Sequence, residues 1–247
     1  MAFLYIHVMK RITLICLFFV ALSVKSQDFT ANWTAFYSYF NIVDVSQGNG
    51  KIYGAAENAI LIYDIATQTT TTVSSVNGLA GQAISTIYYS EEYALLLIGY
   101  ESGLLQTVDS SGRIGTFVDI IEEISISPNI KQIYDIYEFD NRAFVATGFG
   151  IVEFDLQARE FGDTFRIGDN GVELQVNQIT VNGDNIYAAT INGGLRVANV
   201  TSENLIDFNE WSPIASGNYD GVITLGAVVY TVSQNGQIFR VENNTLQ

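Results

Sequence analysis

Acidic side chains carry most of the chemistry this sequence could perform. Adjacent carboxylates stand at Glu91–Glu92 and Glu122–Glu123, and Asp169-Asn170-Gly171 marks a turn. A glycosidase needs two carboxylates opposed across a sugar, about 5 to 10 Å apart, and chain adjacency alone does not supply that separation. The glutamate pairs read more simply as solvated loop faces. None of the three places has the D-x-[DN]-x-[DN]-G spacing of a calcium loop. The only histidine is His7 and the only cysteine is Cys16, both inside an N-terminal segment that reads as a leader. Without them a Ser-His-Asp triad, a cysteine nucleophile and a His/Cys zinc site cannot be built. The expectation is therefore a chain with no catalytic, metal or cofactor site.

Aromatic side chains are the other candidates. The chain has 14 Tyr and 15 Phe, and tyrosine offers rigid contact area with a polar tip, suited to binding. Tyr37 with Tyr39, Tyr88–Tyr89, and Tyr134 with Tyr137 are the groups to examine. Strand alternation sends Tyr88 and Tyr89 to opposite faces, so at least one of them belongs to the core.

The elements that must position these residues repeat. Five segments align: "KIYGAAENAILIYD" from Lys51, "ALLLIGYESGLLQTVD" from Ala94, "RAFVATGFGIVEFD" from Arg142, "NIYAATINGGLRVAN" from Asn185 and "VVYTVSQNGQIFRVE" from Val228. Each is a hairpin of alternating side chains. Its corner is a small residue: Ala59, Gly103, Gly150, Gly194 or Gly236. The four glycines read as turn residues that need positive φ or close backbone approach, not as phosphate loops, because no helix follows them. A further alternating run precedes each hairpin, as in "NIVDVSQ", and a more polar run follows it, as in "TTTTVSS". A four-strand unit recurring every 40 to 50 residues or so is the mark of a β-propeller blade. The fold class expected is all-β, a propeller of four-stranded antiparallel blades. About five blades lie in this chain, at roughly 41–78, 84–120, 132–168, 177–213 and 220–247.

Closure is less regular. The fifth unit has no convincing outer strand, while a strand at 32–39, "NWTAFYSY", stands before the first unit without a blade of its own. The expectation is that 32–39 closes the last blade, or that the chain is the front of a longer protein with a larger propeller of about seven blades. Unpaired edges in an open propeller are an aggregation hazard, and that favours the longer protein.

The start of the chain is a separate matter. Lys10 and Arg11 precede an apolar run from Ile12 to Val24, and Ser26 follows. The run is too short for a membrane span of about 20 residues and has the parts of a secretory signal peptide. The division expected is a signal peptide at 1–26 and a propeller domain at 27–247. Met9 is an alternative start. Ile15 before Cys16 argues against lipoprotein processing. The leader carries Lys10, Arg11 and Lys25 out of a chain whose formal net charge is -15, so the mature protein is more acidic still. Such a surface repels phosphate backbones and argues against nucleic acid. Hydrophobic residues at 48% supply a sizeable core, which argues against disorder.

The running text "FYSYFNIVDVSQGNGKIYGAAENAILIYD", with "SSVNGLAGQAISTIYYSEEYALLLIGYESGLLQTVD", "REFGDTFRIG" and "GDNIYAATINGGLRVANVTSENLIDFNEW", resembles the N-terminal propeller of PorZ-like proteins of the type IX secretion system. The leader resembles those of Bacteroidota. The resemblance implies an exported protein, periplasmic or on the cell surface and associated with the outer membrane. It implies partners in an attachment complex, a sortase-like protease and barrel-associated proteins. It also implies a part in joining anionic lipopolysaccharide to secreted cargo. It implies a longer polypeptide with a second propeller and a C-terminal domain, and supplies no catalytic motif to transfer. Two other functions fit the repeat: the periplasmic sensor propeller of a two-component regulator, and a carbohydrate-active enzyme on a propeller scaffold.

Overall fold

The computed structural model describes residues 37–247. The leader at 1–26 and positions 32–36 of the anticipated closing strand lie outside them. The first blade is β1 (Ile42–Gly48), β2 (Lys51–Ala56), β3 (Ile60–Asp64) and β4 (Thr69–Val73). The second is β5 (Ile84–Ser90), β6 (Leu95–Tyr100), β7 (Leu105–Asp109) and β8 (Ile114–Phe117). The third is β9 (Ile133–Phe139), β10 (Arg142–Thr147), β11 (Gly150–Asp155) and β12 (Glu160–Phe165). The fourth is β13 (Val176–Asn182), β14 (Asn185–Thr190), β15 (Leu195–Asn199) and β16 (Ser212–Ala215). The fifth is β17 (Tyr219–Leu225), β18 (Val228–Ser233), β19 (Ile238–Glu242) and β20 (Thr245–Leu246). Each blade is one four-stranded sheet in sequence order, and every pairing is antiparallel, as between β10 and β11. The described residues form an all-β propeller arc of five such blades.

The core lies between blades. In the interior blades the middle strands are buried on both faces, as every residue of β6 is, because each face meets a neighbouring sheet. Tyr53, Ile60, Ile87 and Tyr100 fill the layer between blades one and two. Leu97, Ile136 and Phe154 fill the next layer, then Phe144, Ile186 and Trp211, then Tyr187, Val222 and Val241. Strands β1, β5, β9, β13 and β17 form the inner ring, each packed against the next, with no comparable packing from β17 back to β1. The outward faces of the two end blades are accordingly apolar and open, with Val45 62%, Leu225 58% and Ile238 74% exposed.

The expectation that blade five lacks an outer strand is corrected. Asn243 and Asn244, at φ 48° and 57°, make the two-residue turn that a hairpin prefers. They return the chain so that Thr245 and Leu246 pair with Glu242 and Val241. Residues 37–39 are not strand. Tyr37 instead meets blade one's exit loop, its hydroxyl 2.7 Å from Ser75 Oγ, far in sequence from the last blade.

Candidate functional site

The inner ring is built from a bulge repeated in every blade. In β1, β5, β13 and β17 the register slips at the second residue of the strand, and β9 does the same against β10. A bulge inserts an unpaired residue and re-aims the side chain that follows. The re-aimed residues are Asp44, Thr86, Asp135, Gln178 and Gly221. Asp44, Asp135 and Gln178 line a central throat of about 670 Å³.

These side chains latch each blade to the next. Asp44 Oδ2 accepts Ile87 N–H and Thr86 Oγ1–H, each at 2.8 Å. Asp135 Oδ2 accepts Ile179 N–H at 2.8 Å, and Gln178 Oε1 accepts Val222 N–H at 3.0 Å. A second tier repeats the arrangement two residues on. Ser46 Oγ accepts Tyr89 N–H at 2.9 Å, and Thr180 Oγ1 accepts Thr224 N–H at 3.1 Å. The backbone donors met in this way lie on inner strands, each the edge of its blade's sheet, where alternate N–H groups have no ladder partner and need another acceptor. At the junction of blades two and three Thr86 is committed to Asp44, and Ser90 Oγ donates to Glu138 Oε1 at 2.8 Å instead.

The throat has acidic walls. Burial pushes the Asp135 carboxyl up to about 6 against the opposing pull of the Ile179 and Ile136 N–H groups, and the Asp44 charge adds to the rise. Burial also raises the Glu138 carboxyl. Burial first, and then the Glu138 charge, lift the Tyr88 phenol to about 12. Among the described residues the lining includes no lysine, arginine or histidine. Asp44 and Asp135 are both engaged by backbone N–H groups. Among the described residues no group of three or more His, Cys, Asp or Glu converges as a metal site would require.

The residues singled out in the sequence scatter. Glu91 and Glu92 stand at the throat rim, where Glu91 Oε1 accepts Asn49 N–H at 2.8 Å. Glu122 and Glu123 end a one-turn helix at Asp119–Glu122, remote from the throat lining. Asp169 pairs with the buried guanidinium of Arg196 at 2.8 Å. Tyr89 is core, stacked on Tyr53 at 5.0 Å between ring centroids. Tyr88 packs in the next layer, and Tyr134 and Tyr137 in the one after. The corner glycines Gly103, Gly150, Gly194 and Gly236 all have positive φ. At Gly150 and Gly194 a Cβ would also strike a backbone oxygen, of Phe165 and of Ala215. The aligned first strands already carried the missed signal: their third residues are Asp44, Thr86, Asp135, Gln178 and Gly221, polar at four of five positions.

The N-terminal β-propeller domain of PorZ, a type IX secretion family, matches residues 52–212. No curated protein sequence matches the chain. Among solved structures, PorZ of Porphyromonas gingivalis, a bacterial surface component of the type IX secretion system, is similar at 19% identity and a TM-score of 0.73. That likeness covers 87% of this chain and 29% of PorZ. The extracellular domain of a hybrid two-component system protein of B. thetaiotaomicron is similar at 15% identity and a TM-score of 0.65, covering 87% of this chain and 28% of that one. This chain thus spans under a third of the length of either structure.

Proposed function

Because the chain belongs to the family of PorZ N-terminal β-propeller domains of the type IX secretion system, we propose that it is a non-catalytic interaction module of that machinery. The family match over 52–212 carries this reading. In it the protein is exported by its signal peptide and works at the outer membrane. Its partners are the proteins of an attachment complex, a sortase-like protease and barrel-associated proteins, and it helps bring anionic lipopolysaccharide to secreted cargo. The surface location of one structural neighbour and the extracellular location of the other support the export. The engagement of Asp44 and Asp135 by backbone donors supports a structural use of the throat carboxylates in place of acid–base work.

Affinity purification of the tagged protein from outer membranes tests the reading. The expected result is co-purification of the attachment complex, with cargo losing its lipopolysaccharide modification when the gene is deleted. Recovery of the protein only as a soluble monomer overturns it. The likeness to a two-component extracellular domain favours a sensor propeller as the second reading. A membrane span and a kinase in the same polypeptide would decide for that one.

A further inference from the structure

We propose that the junction of blades four and five holds a binding site for an uncharged sugar ring, in a pocket whose counterparts at the other three junctions are filled by apolar side chains. The connector between blades one and two runs over 74–83, that between two and three over 118–132, and that between three and four over 166–175. Each contains at least one helical turn. These connectors bury Leu79, then Ile120 and Ile126, then Ile167 in the layers between blades. Leu174 of the third connector also lies against the corner of blade four, where it would meet a Cβ at Gly193. The fourth connector is only Ser216, Gly217 and Asn218. It has no apolar side chain to bury, and a pocket of about 490 Å³ opens there. That volume lies within the range of small-molecule sites, about 300–1,000 Å³.

The short connector is tied to both corners. Gly217 O accepts Gly194 N–H from blade four, and Asn218 O accepts Gln234 N–H from blade five, each at 3.0 Å. Hydrogen bonding then orients the amides that line the pocket. The Asn192 N–H can only donate, so its partner at 2.7 Å is Asn218 Oδ1. Asn218 Nδ2 therefore donates to Gln234 Oε1 at 3.0 Å. Ser233 Oγ donates to Asn235 Oδ1 at 2.5 Å, and Asn235 Nδ2 to Gln237 Oε1 at 3.3 Å. Both glutamine oxygens are thus spent within the site, which leaves the Gln234 and Gln237 Nε2 groups as donors with no acceptor among the described residues. Buried Tyr219 and half-buried Phe239 add aromatic surface to the lining. Among the described residues that lining carries no charged side chain.

This chemistry selects the ligand. Amide N–H donors need acceptor oxygens. With no cation in the lining, and on a chain of formal net charge -15, an anion is disfavoured. A neutral pyranose presents hydroxyl oxygens at its edge and a C–H face that packs on an aromatic ring. The inference does not rest on the secretion reading, which co-purification tests separately. The probes are glucose, galactose, mannose and N-acetylglucosamine, with dextran and mannan to distinguish a free sugar from one in a polysaccharide. Side-chain amide NMR of the protein is the readout. At least one monosaccharide should shift the Gln234 and Gln237 amide resonances saturably, with a Kd of about 1 mM. Gln234→Ala with Gln237→Ala should weaken that binding about tenfold and leave the backbone spectrum of the blades in place. Glucuronate, a similar ring with a carboxylate, should bind more weakly than glucose. A polysaccharide that competes at a lower concentration of sugar units assigns the ring to a polymer, and one that competes no better assigns it to a free sugar. Three results would overturn the proposal: no saturable shift with any sugar, undiminished binding in the double variant, or a preference for glucuronate or for N-acetyl-trialanine amide over every neutral sugar.

Discussion

The corner glycines show how one sequence feature answers two local demands. Gly194 and Gly236 share nearly the same φ, 79° and 80°, yet a Cβ at Gly236 would meet open space while one at Gly194 would meet the Ala215 carbonyl. Gly236→Ala should therefore cost only the left-handed backbone penalty, about 1 kcal/mol. Gly194→Ala adds a clash with backbone that cannot swing aside, for a total of about 3 kcal/mol or more. Urea denaturation of the two variants checks the contrast, and equal losses would mean that the close approach is relieved by small shifts. The need for glycine was legible from the repeat. The difference between the two sites was not, because it depends on how far the outer strand of each blade reaches back over the corner. The tyrosines were legible only in part. Alternation sends Tyr88 and Tyr89 to opposite faces, but neighbouring blades pack on both, so Tyr89 is buried core and Tyr88 is half-buried against the next layer.

Among the elements, the inner strands decide how blades hold together. Gln178 and Thr180 of β13 accept the N–H groups of Val222 and Thr224. Gln178→Ala leaves the Val222 N–H without that acceptor, for a loss of about 1–2 kcal/mol. The loss should concentrate at the last junction. Amide exchange at Val222 and its β17 neighbours should speed up, while β5 and β9 stay protected, since distant sites in a repeat array are nearly independent. Uniform acceleration across all blades would contradict a local latch. The five four-strand units were readable because hydrophobic alternation and turn residues recur with the blade period. The missing outer strand of blade five was misjudged because β20 is two residues long and sits in a polar run. Its evidence is the paired left-handed asparagines, a turn signal rather than a strand signal.

At the scale of the whole arc, among the described residues the four layers between blades are closed and the two end faces are not. Ile223, Leu225 and Ile238 on one side, and Val43, Val45 and Ile52 on the other, present apolar surface of the kind that marks an interaction surface. The 247-residue chain should bind a hydrophobic dye and associate as its concentration rises. Ile223→Glu with Leu225→Glu should reduce both effects while leaving the far-ultraviolet circular dichroism of the blades in place. Sedimentation as a monomer with no dye binding in the wild type would show that these faces are covered by some other means. The throat itself was hidden, because its five lining strands are dispersed along the chain and meet only after the blades stack.

The throat latches also have a direction. In the bonds from Asp44, Ser46, Asp135, Gln178 and Thr180 to backbone N–H groups, the acceptor lies in the earlier blade and the donor in the later one. At those three junctions a blade that has already formed thus waits with its receptor groups in place for the blade that follows it, whereas between blades two and three the earlier blade's Ser90 is the donor. Such an arc suits assembly in the order in which the polypeptide emerges, from ribosome or export channel, amino end first. Each new unit need find only the one before it, so the search stays short however many units are added.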